Sequence, residues 1–304
     1  MDFEVLFDDF FINISNDEEL KPTENKKVLS LINDFEDGDW RYSKFQNFIW
    51  DNIAETSLSL KERSSLINQS HSMLVAAAKN LRLTDKENDI GKGSELAEIV
   101  LYGIMKHHYK ALPVVPKIFY KQNSQDNAKG ADGVHIVVTD DDFTLWFGEA
   151  KFYTSIEDAR LSSIVQSVKN SLQTDKLKKE NSIIASVSDI EGLVNDQVLL
   201  SKIKSALSNK ASIDTLKPKI HIPIFILYEC NLTAECNATS NEYKESILAR
   251  HKDRANAYFK KQIKSMGKDF GYSDIKFHII LFPVPNKKKI IDKFISNVEH
   301  YKEQ

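Results

Sequence analysis

The chain has 304 residues, 41% of them hydrophobic and 28% charged, enough for one large domain or two modest ones, each with its own core. Two cysteines, Cys230 and Cys236, without a CxxC motif exclude a disulfide scaffold and fit a reducing cytoplasm. The net charge of −3 is uneven: the first forty residues hold twelve Asp/Glu and three Lys, whereas residues 241–304 hold fourteen Lys/Arg and eight Asp/Glu. A basic end can follow a phosphate backbone; an acidic end can bind a basic partner or screen a site from nucleic acid.

The N-terminus, MDFEVLFDDF, is acidic where an export signal is basic, and no apolar run approaches the roughly 20 residues that cross a bilayer. Residues 1–50 mix aromatics with acids and predict short strands and turns. Residues 57–82 predict one helix, with Leu66, Ser70, Met73, Ala77 and Leu81 at helical spacing. The polar stretch 84–93 predicts a boundary between an N-terminal α+β region, residues 1–85, and a second domain, residues 86–304. Ser94 then caps a helix to about Tyr109, ended by Pro113 and Pro116. A short strand at 114–120 and a polar loop follow, then two β-rich runs, 134–138 and 144–152, around the turn TDDDF. A second helix starts near Ser155, with Leu161, Ile164, Val165, Val168 and Leu172 as its apolar stripe. Residues 221–229 and 275–284 read as buried strands, with a charged helix at about 241–266 between them. This order predicts an α/β fold in which helices flank a mixed central sheet, with an N-terminal α+β extension.

The segment GADGVHIVVTDDDFTLWFGEAKFY carries the chemistry. A hairpin centred between Asp140 and Asp141 pairs residues whose numbers sum to 281, which sets Asp132 opposite Glu149 on one face. Lys151 lies two residues on and projects from that same face. Bulky apolar neighbours mark the second strand as buried, where charges need a partner or a metal. Two adjacent carboxylates repel unless a cation sits between them. Mg²⁺, or Mn²⁺ in its place, prefers such oxygen ligands and promotes phosphodiester hydrolysis. On the preceding helix Glu95 and Glu98 share a polar stripe with Tyr102 and Lys106, and periodicity does not choose between them. Glu95, in the first turn, is the preferred fourth member. Gln166 and Lys169 of the second helix read as surface positions, and Lys287, Lys288 and Lys289 as a solvated loop. No phosphate-binding glycine loop or nucleophile elbow is present.

Asp132 followed by Glu149-Ala150-Lys151 at the end of an apolar strand resembles the PD-(D/E)xK nuclease superfamily, with Ala131 where that family often has proline. The resemblance implies a strand–hairpin core preceded by a helix bearing a further glutamate. It also implies a catalytic set of Asp132, Glu149, Lys151 and Glu95, with the three carboxylates on Mg²⁺. The stretches GSELAEIVLYGIMKHHY, KGADGVH and LWFGEAKFY also resemble the HamA family, the effector nucleases of the Hachiman anti-phage defence system. That resemblance, over roughly residues 90–285, implies DNA degradation held in check by a partner helicase of the HamB kind. Two readings compete with it: a restriction- or repair-type nuclease without helicase control, and a non-catalytic DNA-binding or scaffold subunit.

Overall fold

The computed structural model describes residues 3–15, 17–83, 94–116, 118, 131–139, 142–186, 189–208 and 210–304. The chain begins with strands β1 (Glu4–Phe10) and β2 (Lys26–Ile32), a short hairpin β3 (Phe35–Glu36) and β4 (Asp39–Trp40), and helix α1 (Tyr42–Ser57). Helices α2 (Leu60–Ser65), α3 (Ser70–Lys79) and α4 (Ser94–His107) lead into strands β5 (Leu112–Val115), β6 (Gly133–Val138) and β7 (Phe143–Tyr153). Five helices follow: α5 (Asp158–Ser171), α6 (Thr174–Ser186), α7 (Asp189–Leu193), α8 (Gln197–Ala206) and α9 (Ile213–Leu216). The chain closes with β8 (Ile220–Glu229), α10 (Asn231–Glu235), α11 (Asn241–Met266), β9 (Lys276–Val284) and α12 (Lys287–Lys302). Among the described residues no helix is long and apolar enough to cross a membrane.

Seven strands form one mixed sheet in the order β1-β2-β9-β8-β7-β6-β5. The pairs β2–β9, β9–β8 and β8–β7 are parallel, and β1–β2, β7–β6 and β6–β5 are antiparallel. The sheet is buried on both faces, as parallel strands require. Alternate residues therefore feed two cores: Ile222, Ile224, Ile226, Phe277 and Ile279 pack toward α5 and α11, while Phe225, Leu227, Ile280 and Phe282 pack toward α1, α4 and α12. The result is the expected α/β architecture, a mixed sheet flanked by helices.

The two N-terminal strands extend this same sheet at its β9 side, and the expected boundary at 84–93 lies outside the described residues. The acidic N-terminus and basic C-terminal region meet in space. Glu4 pairs with Lys244 at 2.7 Å, Asp17 pairs with Lys260 at 2.7 Å, and Lys252 stands over the Phe7 ring. Part of the charge asymmetry thus closes within the molecule.

Three local expectations need correction. The predicted helix over 57–82 is interrupted: Ser59 and Glu62 build a capping box that starts α2 afresh, and Asn68, at φ 65°, breaks the chain before α3. Residues 42–50, read as strands and turns, belong to α1, because Phe45, Phe48, Ile49 and Ile53 all reach the core from one helical stripe. Lys287–Lys289 open α12 instead of forming a loop, with the Asn286 side chain accepting the Lys289 amide. Lys287 is buried, and its ammonium donates to the carbonyl of Phe152 at 2.8 Å.

Candidate active site

The β6–β7 hairpin sets the geometry. Its observed register pairs Gly133 with Gly148 and Val134 with Phe147, the register that the numbering predicts. The amide of Asp132 donates to the carbonyl of Gly148 at 2.7 Å, extending the ladder one residue past the strand. Glu149 and Lys151 then share the face of β7 that also carries Leu145 and Phe147 toward α5. The facing glycines are needed for close approach: a Cβ on Gly148 would lie 2.7 Å from Leu101 Cδ2. Without that Cβ, α4 settles directly on the hairpin and brings its polar stripe beside Asp132.

The structure brings Asp132, Glu149 and Lys151 together. Lys151 Nζ lies 2.6 Å from Glu149 Oε1 and 3.2 Å from Asp132 Oδ2, so the ammonium bridges the two carboxylates. Asp132 Oδ2 also accepts the amide of Ala150 at 3.0 Å, and Ser167 on α5 donates its hydroxyl to Glu149 Oε1 at 2.6 Å. Glu149 is only 5% exposed. Burial first, and then the charge of Asp132, push its carboxyl above the usual range, against the opposing pull of Lys151 and Ser167. Burial works against the Lys151 ammonium, but Asp132 and Glu149 outweigh it and hold the lysine protonated.

Along α4 the polar stripe divides. Tyr102 and Lys106 both donate to Glu55 of α1, at 2.7 and 2.8 Å. Glu98, 7% exposed, lines a narrow cleft with Thr56, Tyr102, Asp132 and His135. Glu95 turns its carboxylate to the amides of Arg82 and Leu83, each at 2.9 Å. Its first-turn position lets it tie down the segment after α3, while Glu98, one turn on, lines the cleft with Asp132.

Ser167 was not singled out by the sequence. Its neighbour Gln166 points outward, donating to Asn170 Oδ1 at 2.9 Å, and Lys169 donates to the carbonyl of Ser265. The available signal was that Ser167 borders Ile164 and Val168 on the stripe facing the sheet.

The cluster offers carboxylate oxygens, the donor type that a hard divalent cation prefers. Asp132 and Glu149 carry like charge at one place, and Glu98 lines the cleft on the Asp132 side; among the described residues no group of three or more His, Cys, Asp or Glu side chains stands close enough together to hold a metal ion. Oxygen ligands of this kind suit Mg²⁺ or Mn²⁺ over softer metals. Among the described residues, cysteines contribute nothing here: Cys230 is buried elsewhere in the core and Cys236 is a second free thiol.

Comparison with known proteins adds a separate finding. A family model described as HamA matches residues 8–298, nearly the whole chain, and no curated protein matches. HamA is a component of the Hachiman anti-phage system, which supports a role in defence. With the match running from β1 into α12, the chain belongs to the HamA family.

Proposed function

We propose that this chain is a divalent-metal-dependent deoxyribonuclease, the effector of an anti-phage complex that works with a helicase subunit. The observation that carries the reading is the triad: Lys151 stands between Asp132 and the buried Glu149 at the end of a hairpin held by α4 and α5. A scaffold has no need to keep two repelling carboxylates and a lysine together at the cost of burying Glu149. Family membership supports the defence role.

Asp132, Glu149 and Glu98 would hold Mg²⁺ or Mn²⁺, which neutralises phosphate charge and lowers the pKa of water toward neutrality. Lys151, kept protonated by its neighbours, is placed to orient the attacking water or to receive charge that develops on the phosphate. Ser167 fixes the Glu149 carboxylate by hydrogen bonding. The apolar residues flanking the triad on β7 limit water around the reacting group.

Cleavage of supercoiled and linear plasmid, with Mg²⁺, Mn²⁺ or EDTA, tests the proposal on the full chain, alone and with the helicase subunit and ATP. Cleavage should need metal and vanish in Glu149→Gln and Lys151→Ala. Cleavage that persists in EDTA or in both variants would overturn the assignment. No cleavage under any condition, by folded protein with its partner present, would favour a scaffold.

A further inference from the structure

Beyond the triad, β7 continues one more residue on the same face. Tyr153 is two positions past Lys151, a step of about 6.6 Å along the strand. Its ring is half-buried against the core, and the Arg160 guanidinium, from the first turn of α5, stands 5.4 Å from the ring centroid. Glu149, Lys151, Tyr153 and Arg160 therefore form a continuous row leading from the buried acids to solvent. The Tyr153 phenol lies within electrostatic reach of Asp132, Glu149, Lys151 and Arg160 together, which places the row within one site.

Arg160 differs from the cations around it. Arg254 and Lys261 are both held by Asp158, at 3.1 and 3.2 Å. Lys169 is tied to Ser265 and reaches Asp269 at 4.0 Å, and Lys287 is spent on the carbonyl of Phe152. Arg160 is exposed, and among the described residues its side chain makes no ion pair and no hydrogen bond. A guanidinium braced on an aromatic ring keeps its donor fork oriented while leaving all five N–H groups available. That combination suits bidentate capture of a phosphate.

We infer that Arg160, braced by Tyr153, binds the backbone phosphate next to the scissile one in a nucleic-acid strand. This rests on the nuclease reading of Asp132, Glu149 and Lys151. Arg160 is then a substrate-binding residue, and Tyr153 a positioning residue that acts through it. The row gives the strand a direction across the site, from the acids outward along β7.

The test is binding of a fluorescein-labelled oligodeoxynucleotide, followed by anisotropy over a range of salt concentrations. The full chain carries Glu149→Gln so that the probe is not consumed. Arg160→Ala should weaken binding about tenfold and lower the slope of log affinity against log salt by about one, the loss of one phosphate contact. Arg160→Lys should restore the slope but only part of the affinity, because a point charge replaces the fork. Tyr153→Phe should bind like the parent, and Tyr153→Leu should weaken binding a few-fold with the slope kept. Unchanged affinity and slope in Arg160→Ala would overturn the inference while leaving the nuclease reading intact. If the Glu149→Gln parent binds no oligonucleotide and the folded wild type cleaves none even with the helicase subunit and ATP present, both readings fall.

Discussion

Strand β7 supports two buried polar clusters, one on each face, and they are built on opposite electrostatic rules. On one face Trp146 stacks on His221 and lies tilted against His278, with ring centroids 4.3 and 4.4 Å away, and the two imidazoles meet at 2.9 Å between His221 Nδ1 and His278 Nε2. Burial keeps both rings neutral, lowering His221 to about 4 and His278 well below its ordinary value. One ring donates, the other accepts, and no charge is left to compensate. Three residues along, Glu149 sits beside a second carboxylate, and Lys151 bridges the two. The histidine cluster is uncharged polar packing, joined by one hydrogen bond between its rings. The acid–lysine cluster holds two like charges beside one lysine, and the proposed metal site rests on this difference.

The sharpest break of that comparison is chemical. Glu149→Gln or Lys151→Ala should reduce cleavage by a factor on the order of a hundred to a thousand, measured as initial rates on linear DNA. Glu149→Gln should melt no lower than the wild type in EDTA, because it removes the repulsion with Asp132. On the other face His278→Ala should do the reverse. It opens a cavity beside Trp146 and costs about 3 kcal/mol in urea unfolding, while Mn²⁺ affinity stays as in the wild type.

A smaller effect follows from the glycine pair that seats α4. Gly148→Ala forces Leu101 away and should cost about 1–3 kcal/mol, with a loss of cleavage as Glu98 shifts from Asp132. Ser167→Ala removes one hydrogen bond to Glu149. It should cost about 1 kcal/mol of stability and roughly tenfold in metal affinity, both read by metal-dependent melting.

The buried histidines on both sides of the sheet also set a pH dependence. His221 is lowered to about 4, and His135 and His251 to about 3, all chiefly by burial. Below the ordinary histidine value of 6.5 the unfolded chain takes up protons that these folded rings refuse. Their contribution to stability is complete above that value and is lost as pH falls toward 4. Thermal melting should therefore drop on acidification from pH 7 to pH 5, and His221→Asn should flatten the drop by its own share. A melting temperature that rises over this interval would contradict the burial of neutral rings.

Much of this arrangement was legible because short-range rules govern it. Strand alternation and the position of one turn fixed the hairpin register, and hence the meeting of Asp132 with Glu149. The long helix at 241–266 and the strands at 220–229 and 276–284 were legible from periodicity and apolar runs. What the sequence hid depends on tertiary contact. The aromatic content of residues 42–57 obscured a helical stripe. Glu95 and Glu98 occupy the same stripe of α4, and the hydrogen bonds of Glu95 to residues 82–83 depend on the path of that segment. Ser167 acquires its role from the packing of α5 on β7, which no local pattern encodes. Placing β1 and β2 in the main sheet also changes how the acidic N-terminus should be tested. Deleting residues 1–40 would remove two strands of the core sheet, so substituting Glu4 and Asp17, the partners of Lys244 and Lys260, is the informative experiment.

The central claim is that Asp132 and Glu149, with Glu98, hold a divalent cation, and titration calorimetry with Mn²⁺ on the full chain tests it without requiring a partner or a substrate. The wild type should bind Mn²⁺, Asp132→Asn and Glu149→Gln should abolish binding, Glu98→Gln should weaken it, and Glu95→Gln should leave it unchanged. Equal Mn²⁺ binding by the wild type and the Asp132→Asn and Glu149→Gln chains would contradict the account.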